Sequence, residues 1–272
     1  MLNELYHSLD PIIFTLGPIS FRWYGLAYVL GFLFAALVLL RLSKRWKVKI
    51  SEDSLLTIML CVMVGVILGA RLGYCLFYGD GYYLEHPTEI LAFSQGGMSF
   101  HGGLIGAFLA GIVAAKCTKI PYLTLADLAV VAAPIGLFFG RLANFINGEL
   151  WGSPTDLPWV VVFDGLAGTM PRHPSQLYEA LLEGVVIFIV LYVLSRKNPP
   201  LHRGCYMGLF LIMYGVFRFC IEFVREPDVQ LGYLYGDWFT MGQLLSVPLI
   251  IVGIAVLVYA LKVKKPQVGE PQ

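Results

Sequence analysis

The chain has 272 residues, 58% of them hydrophobic and only 14% charged, and its mean hydropathy is +0.74. Soluble domains carry roughly 45–50% apolar and about 25% charged residues, so this composition excludes one and calls for a bilayer. The 19 basic and 18 acidic residues leave a formal charge of +1. That offers nothing to a nucleic-acid backbone, and no basic tract or nucleic-acid motif compensates, so no nucleic-acid partner is expected.

A helix needs about 20 apolar residues to cross the hydrocarbon core. Seven stretches meet this, roughly 21–41, 53–78, 97–116, 122–144, 175–195, 204–223 and 240–262. The first twenty residues carry Glu4 and Asp10 in place of a basic leader, so the first span is expected to be retained. Long apolar runs without ten-residue alternation select helices over a barrel. The expected fold is therefore all-α: one integral membrane domain over residues 1–272 with seven transmembrane helices.

Loop charge sets the direction. Arg41, Lys44, Arg45, Lys47 and Lys49 follow the first span, and Lys116, Lys119, Arg196, Lys197, Arg203, Lys262, Lys264 and Lys265 fall on the same side. The opposite loops hold Arg22, Arg172 and Arg225 with acids such as Asp80, Glu85, Glu89, Asp156 and Asp164. The N-terminus is expected outside and the C-terminus in the cytoplasm. Two outer loops, about 79–96 and 145–174, are longer than the inner ones, and loops of this kind commonly carry function. Cys61, Cys75, Cys117, Cys205 and Cys220 lie in or beside apolar runs with no CxxC spacing and read as small apolar fillers. No metal site is expected.

Arg71, Arg141 and Arg218 fall inside spans, where charge is costly enough to mark function. At 1.5 Å per residue, all three and His101 lie within about 10 Å of the outer ends of their helices. Tyr214, Arg218, Glu222 and Arg225 share one helical face at spacings of 4, 4 and 3. Arg141, Asn144 and Gly148 do the same on another. Each has a plainer reading: Arg71 could brace a neighbouring helix, His101 could bond one, and Glu179 and Glu183 could neutralise an arginine from elsewhere. Asp127 suits the positive end of its own helix. Two arginines at headgroup depth on different helices match phosphate oxygens with paired donors. Asn144, Asn147, Glu149 and Tyr24 could hydrogen-bond a polar head such as glycerol. The residues thus point to a protein that handles an anionic lipid phosphate from the outer leaflet.

The run Gly140-Arg-Leu-Ala-Asn-Phe-Ile-Asn-Gly-Glu-Leu-Trp-Gly152 resembles the signature of the phosphatidylglycerol-prolipoprotein diacylglyceryl transferases. Three further blocks resemble that family in the same order: Gly96–Gly106, containing His101, Arg172–Glu179, and Phe217–Asp228. With Trp23-Tyr24-Gly25 they extend the resemblance over nearly the whole chain. The segment between Trp151 and Arg172 is shorter than in some members of this family.

The resemblance implies transfer of a diacylglyceryl group from phosphatidylglycerol to the thiol of a lipobox cysteine in a prolipoprotein signal peptide. A thioether forms and glycerol phosphate leaves, with no metal or redox cofactor. It implies a multi-pass protein of the bacterial inner membrane, surrounded by membrane lipids, with its site facing the outer leaflet. His101, Arg141 and Arg218 are the implied catalytic residues, and Asn144, Glu149, Tyr24, Tyr214, Glu222 and Arg225 join Arg141 in binding substrate. Arg141 with Asn144 and Glu149 would grip the phosphoglycerol head, while Arg218 stabilises the reacting phosphate or the thiolate. His101 is either the base that takes the thiol proton or a residue that orients the lipid while the field of Arg218 favours the thiolate. A flippase or transporter of anionic phospholipid is the alternative. It fits less well, because the ionisable groups crowd one face and no internal repeat is visible.

Overall fold

The computed structural model describes residues 1–17, 19–77, 79, 81–92, 97–227 and 232–267; the side chains of residues 19, 77, 100 and 101 are also outside the described set. Asp80, Gly96 and Asp228, named above, therefore lie outside it, as does the side chain of His101.

In chain order the elements are α1 (Leu2–His7), the antiparallel pair β1 (Ile12–Leu16) and β2 (Ile19–Arg22), α2 (Trp23–Arg45), α3 (Glu52–Phe77), α4 (Tyr82–Glu85), α5 (Phe100–Thr118) and α6 (Tyr122–Asn147). There follow α7 (Ser175–Glu179), a π-helical turn (Ala180–Val186), α8 (Ile187–Ser195), α9 (Cys205–Ile221), the antiparallel pair β3 (Tyr233–Tyr235) and β4 (Phe239–Thr240), and α10 (Met241–Val263). Each of the seven apolar stretches contains a helix, with some ends outside it: Phe21 and Arg22 lie in β2, and α9 stops at Ile221. Five are long and apolar enough to cross a membrane: α2, α3, α6, the continuous run Ser175–Ser195, and α10. The apolar stretches Gly102–Thr118 and Cys205–Ile221 are shorter. The molecule is a mostly helical membrane protein whose two hairpins, over 12–22 and 233–240, were not expected from the sequence.

Helix ends follow local chemistry. Acidic Glu52 and Asp53 open α3, and basic Lys44 and Arg45 close α2, each matching the helix dipole. Ser99 caps α5 by accepting the Gly102 amide at 3.3 Å. Thr240 and Gln243 form a reciprocal capping box at the start of α10.

The chain forms two compact units, Met1–Val48 with Asp127–Gln272, and Lys49–Ala126. In the second, α3 and α5 approach along a seam of small residues. A Cβ on Gly69 would lie 2.7 Å from the Gly106 Cα, one on Gly73 would lie 2.7 Å from the Gly102 Cα, and one on Gly106 would fall on the Gly65 carbonyl. Backbones come this close only where side chains are absent. Arg71 is 1% exposed in this unit. Its guanidinium donates to the carbonyls of Glu89 (2.7 Å), Ile90 (2.9 Å) and Gly97 (3.2 Å) and lies over the rings of Tyr83 and Tyr74. Arg71 thus holds the backbone at Glu89, Ile90 and Gly97, a segment before α5 and not the neighbouring helix that its plainer reading named.

In the first unit, α9 and α10 pack through Gly208, Gly215 and Gly253, whose absent side chains admit the facing backbone. Phe145 at the end of α6 joins Val161, Phe163 and Ala167 in a small core covered by Leu2, Tyr6, Leu9, Trp151 and Leu177. The irregular 145–174 segment is thereby folded back onto α6 and roofed by α1. Asp127, fully buried, accepts the amides of Gly204 (2.7 Å) and Met207 (2.8 Å). Its carboxylate therefore caps α9, not its own helix as the sequence suggested, because the orphan amides of α9 are the ones it reaches.

Replacing Gly106 by Val should force the α3–α5 seam apart, at a cost of about 1–3 kcal/mol or more from overpacking. Gly136, whose absent Cβ faces open space, should accept Ala without loss. Thermal unfolding of the two purified variants in detergent would check the contrast.

Candidate functional site

The site is built on three helices of the first unit. The α7 helix begins at Ser175, whose hydroxyl donates to the Leu150 carbonyl at 3.0 Å, and the next residue, Gln176, donates its amide to the Glu149 carbonyl at 2.6 Å. These bonds fix α7 against the end of α6. Glu179 closes α7, and the π-helical turn that follows places Glu183 beside it; both are fully buried. Turns of this type often occur at functional sites, where the extra residue re-aims a side chain.

Both carboxylates face arginines. Glu179 Oε2 lies 2.5 Å from Arg141 Nε on α6, and its Oε1 lies 3.1 Å from Arg218 Nη1 on α9 and 3.6 Å from Arg225 Nε. Glu183 reaches Arg141 Nη2 at 3.5 Å. Glu222 holds Arg218 Nη2 at 2.5 Å and accepts from Arg225 Nη1 at 3.2 Å. Three guanidiniums and three carboxylates thus form one connected network. Tyr214, one turn before Arg218, sits within electrostatic reach of Arg141, Arg218, Glu179 and Glu183. Among the described residues, Arg141 Nη1 and Arg218 Nε take no part in the ion pairs. Both remain available as donors to a further acceptor.

The network is anchored from α10. The Thr240 hydroxyl donates to Glu222 Oε2 while its oxygen also caps α10. Gly242 leaves the space that the Glu222 carboxylate fills: a Cβ there would lie 2.6 and 2.7 Å from the two oxygens.

One turn beyond Arg141, Asn144 donates to Glu149 Oε1 at 2.7 Å and Asn147 approaches the same oxygen at 3.4 Å. Gly148 makes the turn between them with φ +65°, and a Cβ would strike the Tyr6 hydroxyl. The Tyr24 and Tyr28 hydroxyls meet at 3.3 Å, and Tyr24 is in electrostatic reach of Glu149 and Arg141.

Beyond the helices, Arg172 donates to the carbonyls of Ala167 (3.1 Å) and Gly152 (3.2 Å) and pairs with Glu226 at 2.8 Å. It ties the 145–174 segment to the chain after α9. Gly152 lies against Arg225 in an antiparallel bridge, which carries the Gly140–Gly152 run to the edge of the arginine network. Burial pushes the His173 imidazole below its ordinary value, and its Nδ1 lies 3.2 Å from the Tyr178 hydroxyl.

Of the site residues expected from sequence, Arg141, Arg218, Glu222 and Arg225 meet in the network, with Tyr214 beside them. Asn144 and Glu149 meet one turn away, and Tyr24 lies near both groups. The backbone of His101 belongs to α5 in the other unit, and its side chain lies outside the described residues. Absent from that expected set were Glu179, which faces all three arginines, and Thr240 and Gly242, which hold Glu222. The Glu179/Glu183 pair at a spacing of four residues, and the Thr240-Met-Gly-Gln243 capping signature, are the signals that mark them.

The family model for prolipoprotein diacylglyceryl transferase matches residues 11–259. The chain is 51% identical over 260 residues to the phosphatidylglycerol–prolipoprotein diacylglyceryl transferase of Geobacter sulfurreducens, covering 95% of this chain and 98% of that protein. It is 50% identical over 257 residues to a protein of the same name from Nitratidesulfovibrio vulgaris, covering 93% and 95% of the two chains. Against another of that name, from Aliivibrio salmonicida, identity is 46% over 257 residues, covering 94% and 89%. A match of this length, running through every element that builds the arginine network, establishes that the chain belongs to the prolipoprotein diacylglyceryl transferase family.

Proposed function

We propose that the protein transfers the diacylglyceryl group of phosphatidylglycerol to the lipobox cysteine thiol of a prolipoprotein. The sulfur–carbon bond forms as the carbon–oxygen bond to phosphate breaks, and glycerol phosphate departs. The observation that carries this reading is the buried network in which Arg141 and Arg218, from different helices, share the Glu179 carboxylate. Each keeps a donor nitrogen outside the ion pairs. Arginines fixed in advance on carboxylates need little reorganisation when a phosphate arrives, which is how prepositioned charge lowers a barrier.

In this reading Arg141, with Asn144 and Glu149, binds the phosphoglycerol head, and Arg218 offsets the charge that develops on the leaving phosphate. Tyr24, Tyr214, Glu222 and Arg225 complete the binding surface. His101 takes the thiol proton, for which a neutral imidazole near pH 7 is suited; its other role, orienting the lipid, leaves Arg218 to favour the thiolate. Both units act as one transferase domain. Seven helices cross the inner membrane with the N-terminus outside and the C-terminus in the cytoplasm, a direction supported by the loop charges. The site then opens to the outer leaflet, where the lipid and the signal peptide of the precursor meet it.

The decisive assay mixes purified protein, phosphatidylglycerol and a lipobox peptide, and seeks the peptide mass raised by one diacylglyceryl group. Arg141→Ala and Arg218→Ala should each lower the rate by on the order of 10²–10³ or more while membrane insertion is unchanged; near-normal transfer in either would refute the phosphate role.

Glu179→Gln should impair both stability and transfer more than Glu183→Gln. It removes the charge facing three arginines, and breaking a buried pair costs about 3–5 kcal/mol. Equal effects of the two variants, by thermal unfolding and by rate, would show that Glu179 has no special place.

For His101→Gln, activity that recovers as pH rises marks proton abstraction, and a pH-independent loss marks positioning.

A further inference from the structure

The C-terminal ends of α2 and α8 enclose a basic hollow of about 250 Å³ lined by Arg45, Lys47, Lys197 and Asn198. Its walls are pinned. Trp46, between two of the lining residues, is 2% exposed, donates its indole N–H to the Ser195 carbonyl at 3.0 Å, and stacks on Tyr206 with ring centroids 4.9 Å apart. Arg45 donates to the Arg196 carbonyl. Lys47 takes a left-handed conformation, φ 57°, that turns the chain at this point, and its amide returns to the Lys44 carbonyl at 3.2 Å.

Helix dipoles account for part of this charge, since carbonyl ends attract cations. That attraction fades beyond the last turn, and Lys47 and Lys197 lie two residues past the ends of their helices. Among the described residues, Arg45, Lys47 and Lys197 form no ion pair with a carboxylate. The hollow is smaller than the roughly 300–1,000 Å³ that drug-sized molecules occupy, so it suits a headgroup. Ser195 lies about 24 Å along the helical run from Glu179 at 1.5 Å per residue, most of the roughly 30 Å hydrocarbon thickness. The hollow therefore sits at the other polar boundary from the arginine network, level with lipid phosphates.

We propose that this hollow binds the phosphate of an anionic phospholipid that is not consumed, and that the bound lipid braces α2 against α8. Basic pockets between transmembrane helices take headgroups of this type. The inference depends on the protein lying in a bilayer and not on the transfer reaction.

The test uses the full chain, stripped of lipid in detergent, with cardiolipin, phosphatidylcholine or inorganic phosphate added, read by native mass spectrometry and thermal unfolding. Cardiolipin should add to the wild type and raise its melting temperature, and phosphatidylcholine should do neither. In Lys47→Gln/Lys197→Gln, which leaves Arg45 and its bond intact, cardiolipin affinity should fall roughly thirtyfold, the effect of two lysines at a membrane surface. Transfer from phosphatidylglycerol should persist in that variant, and Lys47→Arg/Lys197→Arg should restore binding. Arg141→Ala should keep the cardiolipin adduct. Equal binding by wild type and the glutamine variant, or loss of the adduct in Arg141→Ala instead, would overturn the proposal. Millimolar phosphate alone reproducing the thermal shift would replace the lipid by free phosphate and overturn it as well.

Discussion

A guanidinium inside an apolar helix assembly is tolerated where a carboxylate faces it, and Glu179 faces three. The rest of the first unit is arranged to keep that carboxylate in place. Ser175 and Gln176 lock the start of its helix to the backbone after α6, and the π-helical turn brings a second carboxylate to the same arginine. Glu222, held by Thr240 and seated over Gly242, closes the network from the other side. Three carboxylates facing three guanidiniums hold the arginine side chains in place.

Much of this was legible in the sequence because it depends on spacing along one helix. Arg218 and Glu222 are one helical turn apart, at the end of α9, and the structure pairs them directly; Arg225, expected on the same helical face, lies past the helix end in the bridge to Gly152 and reaches Glu222 from there. Each of the seven apolar stretches contains a helix, because an unbroken apolar run can satisfy its backbone in no simpler way. Relations between helices were not legible. Nothing in the run Arg172–Glu179 says that Glu179 faces α6 and α9 together, and its spacing from Glu183 told only that both share a face. Asp127 was misplaced for the same reason. An acid near a helix start is ordinarily taken to serve that start, yet here it reaches the amides of another helix, 77 and 80 residues away.

The second unit shows a different balance. Its glycines form the α3–α5 seam, where the two backbones meet directly. Arg71 could have belonged to a binding site or braced a neighbouring helix, and residue type does not separate the two. The structure gives it three backbone acceptors, at Glu89, Ile90 and Gly97, and places it over the rings of Tyr74 and Tyr83. The short hairpins escaped notice because two- to five-residue strands carry too little alternation to stand out beside helices of more than twenty residues.

Asp127 has one more ligand, and it comes from far along the chain. The side-chain amide of Gln267 donates to the same carboxylate oxygen as Gly204, at 2.7 Å, and also to the Leu201 carbonyl, while Arg203 donates its amide to the Lys265 carbonyl. During biosynthesis the helix that bears Arg218 is therefore made well before its N-terminal cap acquires the Gln267 bond. Maturation of that end waits until residues 265–267 have left the ribosome, so the order of translation becomes an order of assembly.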